Sequence, residues 1–161
     1  MDLSRRQFIQ AAAVGAAVAP GLGAGAAVAA GTLPKRPFGK TGLEISILGF
    51  GSGSRFLMYK DDDEALAALT KALELGITYI DTAHNYGNGK SEERIGKILP
   101  QWRDKVTVAT KLAGRSGDEA RRQLELSLKR LNTDHLDVVH IHVLSGPEDL
   151  AKIEAPDGVL K

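Results

Sequence analysis

Three apolar runs in this chain each end on an ionisable side chain, and the segments between them carry a helical repeat. Ile77-Thr78-Tyr79-Ile80-Asp81 lies between Gly76 and a polar loop, Thr82 to Gly89, that carries one phenol, Tyr86. A short β-branched run bounded in this way reads as a buried parallel strand. Val106 to Lys111 and His135 to His142 read as further strands. Alternation along a strand puts Ile77/Tyr79/Asp81, Thr107/Ala109/Lys111 and Val138/His140/His142 on one face. The opposite faces carry Thr78/Ile80, Val106/Val108 and Val139/Ile141, mostly β-branched and suited to pack on helices.

The helical segments follow from their end signals and apolar stripes. Asp61-Asp62-Asp63-Glu64 opens one helix, because carboxylates there satisfy free amides and oppose the positive end of the dipole. That reading is preferred to an acidic metal site. Ala65, Leu66, Leu69, Ala72 and Leu73 form its buried stripe, and Gly76 closes it. Ser91-Glu92-Glu93 is expected to cap a short helix with Ile95, Ile98 and Leu99 inward, stopped by Pro100. Ser116 to Glu119 has capping-box spacing. The helix behind it buries Ala120, Leu124, Leu128 and Leu131, has Lys129 and Arg130 in its last turn, and ends on Asn132. Gly146 to Pro156 reads as a loop and Gly158 to Lys161 as the first turn of another helix. Upstream, Lys35 to Phe38 and Glu44 to Ile47 flank a glycine-bearing turn and read as a hairpin. Ile45 to Phe50 runs into Gly49-Phe50-Gly51-Ser52-Gly53, which either lets a ligand approach the backbone or is a plain loop. Regular βα alternation implies a parallel sheet. Asp81, Lys111 and His142 then end three strands on the face away from the helices, at the mouth of a closed barrel.

The first residues have a different character. Ser4-Arg5-Arg6-Gln7-Phe8-Ile9 precedes an Ala/Gly-rich run from Ala11 to Ala30, and Ala27-Val28-Ala29 has the form of a signal-peptidase site. The paired arginines resemble a twin-arginine export signal. We therefore expect a signal over residues 1–31, a folded unit over 32–161, the export machinery as a partner, and a periplasmic destination, or a cytoplasmic one if the signal is unused. The Ala/Gly-rich run is too weakly apolar for a stable membrane span. The chain's 21 basic and 20 acidic residues nearly cancel, and removing residues 1–29 leaves 19 of each. No nucleic-acid surface held by charge is expected. With no cysteine, thiolate catalysis, disulfides and Cys-ligated metals are excluded.

Asp81, Tyr86, Lys111 and His142 form a plausible set for carbonyl reduction. A phenol can donate the proton that a developing alkoxide needs, though an unperturbed tyrosine with pKa about 10 is poorly matched to neutral pH. A neighbouring ammonium favours the phenolate. Lys111 can be that ammonium, Asp81 can keep it charged and aimed, and His142 can hydrogen-bond the carbonyl oxygen. His140 shares the inward face one layer deeper and reads as structural, and His84 sits in the Tyr86 loop without a fixed direction.

These residues lie in stretches that resemble the aldo-keto reductases: Phe38 to Ser46, Gly76 through Gly87, Ser91-Glu92, Thr110-Lys111, and Ser127-Leu128-Lys129-Arg130-Leu131 through Asp137. The resemblance implies a (β/α)8 TIM barrel and an NADPH-dependent oxidoreductase acting on a small carbonyl substrate. It places the catalytic tetrad on Asp81, Tyr86, Lys111 and His142, with Tyr86 as general acid/base, Lys111 and Asp81 as its tuners and His142 as the substrate-orienting group. Gly51, Ser52 and Asp81 are expected at the nicotinamide-ribose end of the cofactor, and no metal is expected. A complete barrel takes about 250 residues. The 161 residues are therefore expected to hold the hairpin, strands 1–4, helices 1–3 and the start of helix 4. Such a product, truncated or partial, would leave two open edges and an apolar inner face, and is expected to associate and to be essentially inactive by itself. Two other readings are a non-catalytic cofactor-binding or regulatory protein on the same barrel, and a metal-dependent lyase or isomerase using Asp81, His84, His140 and His142.

Overall fold

A computed structural model describes residues 33–161; the export signal expected over residues 1–31 lies outside them. Strands β1 (Lys35–Pro37) and β2 (Glu44–Ser46) form the antiparallel hairpin, with Lys35 opposite Ser46. The hairpin is tied to the residue that leads into the strand Tyr79–Asp81 by a reciprocal pair of bonds: Ser46 N–H donates to Thr78 Oγ1 and Thr78 N–H to Ser46 Oγ, both at 2.9 Å. The continuous strand expected from Ile45 to Phe50 is two separate pieces. Ile47 and Leu48 are exposed between β2 and β3 (Phe50–Gly51), which belongs to a different sheet.

That second sheet has four parallel strands in the order β3, β4 (Tyr79–Asp81), β5 (Thr107–Leu112) and β6 (Val138–Ile141). The register pairs Gly51 with Asp81, Asp81 with Ala109, and Lys111 with His140. Paired residues in a parallel sheet point the same way. Asp81, Lys111 and His140 therefore share the face that strand alternation assigns them. Phe50, Ile80 and Val108 lie on the other face and meet the helices.

Among the described residues, five α-helices lie between the strands and a sixth follows β6. α1 (Ser54–Leu57), unanticipated in the sequence, buries Phe56 edge-on against Phe50, with ring centroids 5.3 Å apart. α2 (Asp62–Glu74) begins where its carboxylates require: Asp61 Oδ1 accepts from the amides of Asp63 and Glu64. It buries Ala65, Leu69 and Leu73, and closes with Gly76 N–H donating to the Leu73 carbonyl and Ile77 N–H to that of Ala72.

α3 (Lys90–Gly96) corrects the expected cap. Its N-cap is Gly89, which makes no side-chain bond, and Ser91 and Glu92 are wholly buried inside the protein. Pro100 does not stop this helix. It stands in the first turn of the next one, α4 (Leu99–Trp102), where a missing N–H costs nothing.

α5 (Gly117–Leu131) has Ser116 as its N-cap, accepting from Glu119 N–H at 3.3 Å, and Asn132 in the left-handed conformation at its end. Ala120, Ser127 and Leu131 are its buried residues, while Leu124 and Leu128 are half-buried. Glu119 reaches back to the amide of Arg115 and not to that of Ser116. The supposed loop from Gly146 contains α6 (Pro147–Glu154), and Gly158 forms a bridge with Ser116 where a helix start was expected. Asp137 fixes how β6 enters the sheet: its Oδ2 accepts from Val108 N–H at 2.7 Å and from Arg103 at 2.9 Å.

Candidate active site

Asp81, Tyr86, Lys111 and His142 meet at the carboxyl ends of β4, β5 and β6. Lys111 Nζ donates to Asp81 Oδ2 at 2.7 Å and to the Thr82 carbonyl at 2.7 Å. The ammonium lies 4.9 Å from the centroid of the Tyr86 ring. The same ring meets the His142 imidazole edge-to-face, with centroids 5.7 Å apart and planes at 76°. The Asp81 and Lys111 side chains are 34% and 16% exposed, so the pair is partly desolvated yet reachable from solvent. Burial first, and then the charges of Lys111 and Arg115, hold the His142 imidazolium below its ordinary pKa, with Asp81 opposing them. His142 is therefore a neutral ring near neutral pH, able to donate or accept one hydrogen bond.

Each group is aimed by backbone. His142 follows β6 and its N–H donates to the Leu112 carbonyl at 2.8 Å. Thr82 N–H and His84 N–H continue the ladder to Ala109 and Lys111. Tyr86 opens a tight turn, Tyr86–Gly89, in which Gly87, Asn88 and Gly89 all have positive φ. Its ring packs on Gly53, where an added Cβ would lie 3.5 Å from Cε2.

A buried polar network beneath this loop escaped the sequence reading. Ser91 Oγ bonds the Ser52 hydroxyl at 2.8 Å and the Ser52 carbonyl at 2.9 Å, and lies 3.0 Å from Thr82 Oγ1. Glu92, fully buried, accepts from Thr110 Oγ1 at 2.8 Å and from Arg130 Nη1 at 3.4 Å. Arg130 also donates to the carbonyls of His84 (2.9 Å) and Asn88 (3.4 Å), so the turn carrying Tyr86 is wrapped around its guanidinium. Gly89 explains the fit: with φ of 95°, any Cβ there would sit 2.2 Å from Arg130 Cζ. The available signal was Arg130 in the last turn of α5, where a cation is equally accounted for by the helix dipole.

The remaining expected site residues separate. Gly51 is exposed, on the Asp81 face, with open space where a Cβ would be. Ser52, expected to touch a cofactor, is instead completely buried on the helix side; its hydroxyl donates to the Asp81 carbonyl at 2.9 Å and accepts from Ser91. Alternation turns residue 52 away from the face that residue 51 shares with Asp81. His84 also points inward, with Nδ1 3.2 Å from Ser127 Oγ, and burial lowers its pKa. His140, read as structural on the inward face, lies on the Lys111 face and is exposed. Among the described residues no group of three or more His, Asp or Glu side chains is placed to hold a metal ion. No helix there is long and apolar enough to cross a membrane.

Residues 47–155 match the profile of the Aldo/keto reductase family. Aldo-keto reductase YhdN of Bacillus subtilis is 38% identical over 136 residues, which is 75% of this chain and 40% of that protein. The holo form of an aldo-keto reductase from Bacillus halodurans superimposes with a TM-score of 0.65 at 32% identity, covering 76% of this chain and 45% of the other. An aldo-keto reductase from Klebsiella pneumoniae, solved in complex with NADPH, gives a TM-score of 0.61 at 28% identity, over 70% of this chain and 42% of that one. The chain thus spans less than half the length of these three relatives.

Proposed function

The chain belongs to the aldo/keto reductase family, and on that premise we propose that its strand-end site reduces an aldehyde or ketone to an alcohol, with Tyr86 as proton donor. Its four parallel strands, each followed by a helix, are part of a (β/α)8 barrel. The observation that carries the proposal is the position of one ammonium: Lys111 Nζ sits between the Asp81 carboxylate and the Tyr86 ring.

In this reading the substrate carbonyl lies between Tyr86 and His142. The neutral His142 ring donates one hydrogen bond to the carbonyl oxygen and fixes its direction. As the oxygen gains charge, it takes the phenolic proton of Tyr86. The phenolate left behind faces the Lys111 ammonium, whose own charge is held by Asp81. NADPH, when bound, supplies the hydride that reaches the carbonyl carbon. The residues present fit its nicotinamide end: Gly51 leaves space beside Asp81, and Asp81 Oδ1 carries no hydrogen bond among the described residues. The export signal over residues 1–31 remains part of the proposal, supported by Arg5-Arg6 and by the small residues at Ala27-Val28-Ala29.

The test is NADPH oxidation with an aromatic aldehyde. Residues 47–155 grafted in place of the matching segment of the Bacillus halodurans enzyme supply the rest of the barrel. Tyr86→Phe in that graft is expected to lower turnover by about 10²–10⁴-fold while NADPH binding, read by fluorescence, is retained. Unchanged turnover would remove Tyr86 from its role.

A further inference from the structure

The residue that follows His142 has a backbone its side chain does not favour. Val143 has φ of 54°, and it is the one β-branched residue with positive φ among the described residues. Such a conformation crowds a branched side chain and persists only where the surroundings over-determine it. Packing does not supply that constraint, because Val143 is 68% exposed.

Arg115 does supply it. Its Nη2 donates to the His142 carbonyl at 2.9 Å and to the Val143 carbonyl at 2.7 Å, and Nη1 donates to the Ala113 carbonyl at 2.9 Å. The guanidinium is itself held in a two-point pair by Asp149, in the first turn of α6, through Nε and Nη2, both at 2.8 Å. Charge-assisted pairs of this forked kind are strong and directional. Asp149 also accepts from the amide of Ser145, which ties down the far end of the same turn. The two peptide groups flanking the His142 Cα are therefore both fixed, one by the Leu112 carbonyl and the other by Arg115.

We infer that Arg115 is a positioning residue: clamped by Asp149, it holds the left-handed turn at Val143 and so aims the His142 imidazole at Tyr86. This rests on the reading of His142 as the group that orients the carbonyl. A guanidinium serves where an ammonium would not, since it reaches the carbonyls of residues 113, 142 and 143 while paired with one carboxylate. Its charge has a second effect. The groups around His142 are Lys111 from β5, Arg115 from the following loop, Asp81 from β4, the Tyr86 ring and Asp149 from α6. Arg115 is one of the two cations among them that disfavour imidazolium.

Aim and charge can be separated by nuclear magnetic resonance on the full chain with ¹⁵N-labelled histidine. The readouts are the His142–Tyr86 ring Overhauser contact and the His142 titration midpoint. Arg115→Ala should lose the contact and shift the midpoint up, leaving the midpoint of His84 in place. Arg115→Lys keeps a cation without the fork, so it should hold the midpoint near that of the parent yet still lose the contact. In the grafted enzyme, Arg115→Lys should raise KM for the aldehyde more than it lowers kcat. An undisturbed Overhauser contact in folded Arg115→Ala overturns the inference. If Arg115→Ala does not fold, Asp149→Asn decides: a weakened contact supports the clamp, and an unchanged one overturns it. A graft without turnover, whose His142 contact nevertheless depends on Arg115, would count against the proposed reaction and leave the clamp standing.

Discussion

At the scale of single residues, Lys111 carries the most. Its ammonium is shared by a carboxylate, a backbone carbonyl and an aromatic ring. Lys111→Met leaves Asp81 a third exposed and able to take up water, so the cost in stability should be modest, about 1–2 kcal/mol by urea unfolding. In the grafted enzyme, the loss in aldehyde reduction should be much larger than that, because the charge beside the phenol disappears. Acid should act on the site in two stages. The folded-state pKa of His142 lies below its ordinary 6.5, so the unfolded chain binds the proton more readily. Its contribution is whole above about 6.5 and is lost as the pH falls from there; His84, lowered by burial, acts in the same direction. Asp149 is held down from 3.8 to about 2 by Arg115, so its contribution is present above 3.8 and lost as the pH falls through about 2. Unfolding followed from pH 8 to pH 2 should show both declines. His142→Gln should reduce the first, and Asp149→Asn should reduce the second in part, since Asp62 and Asp134 are held down by their own cations in the same range.

At the scale of elements, the loop bearing Tyr86 is built from beneath. Arg130→Ala would leave the fully buried Glu92 without its cation, which costs about 3–5 kcal/mol when a buried pair is broken. It should also expose the amides of residues 84–89 to faster hydrogen exchange than those of β5. Gly96→Ala tests the neighbouring contact: an added Cβ would lie 2.1 Å from the Arg130 carbonyl, so α3 and α5 must separate, at about 1–3 kcal/mol. An unchanged melting curve would show that the two helices do not pack as described. β4, β5, β6, α2 and α5 were legible because apolar period and end signals agreed there, whereas the run from Ile45 to Phe50 hid the break between β2 and β3. Ser91-Glu92-Glu93 misled because a first-turn acid and a buried one look alike in sequence; only the fold brings Thr110 and Arg130 to Glu92. Gly146-Pro147-Glu148-Asp149 was read as a loop from its glycine and proline, yet proline and acids in a first turn equally mark a helix start. Ser52 was misplaced for a geometric reason, since a glycine-rich loop does not by itself say which neighbour faces the ligand.

At the scale of the whole molecule, the parallel sheet has edges at β3 and β6. Exposed apolar side chains stand beside both: Ile47, Leu48 and Met58 near one, Val139, Val143 and Leu144 near the other. The 161-residue chain produced by itself should therefore associate, and light scattering at micromolar concentration should give a mass above 17.1 kDa; a stable monomer would show that these edges are tolerated. Export can be read with residues 1–31 fused to a folded reporter. Replacing Arg5→Lys and Arg6→Lys together should keep the reporter in the cytoplasm, and continued export would remove the twin-arginine reading. The central claim is that side chains distant in sequence act as one unit at the strand ends, and a double-mutant cycle in aldehyde reduction by the grafted enzyme tests it most directly. If Lys111 serves Tyr86, then Tyr86→Phe with Lys111→Met should be little slower than Tyr86→Phe. Rate losses that simply multiply would contradict it.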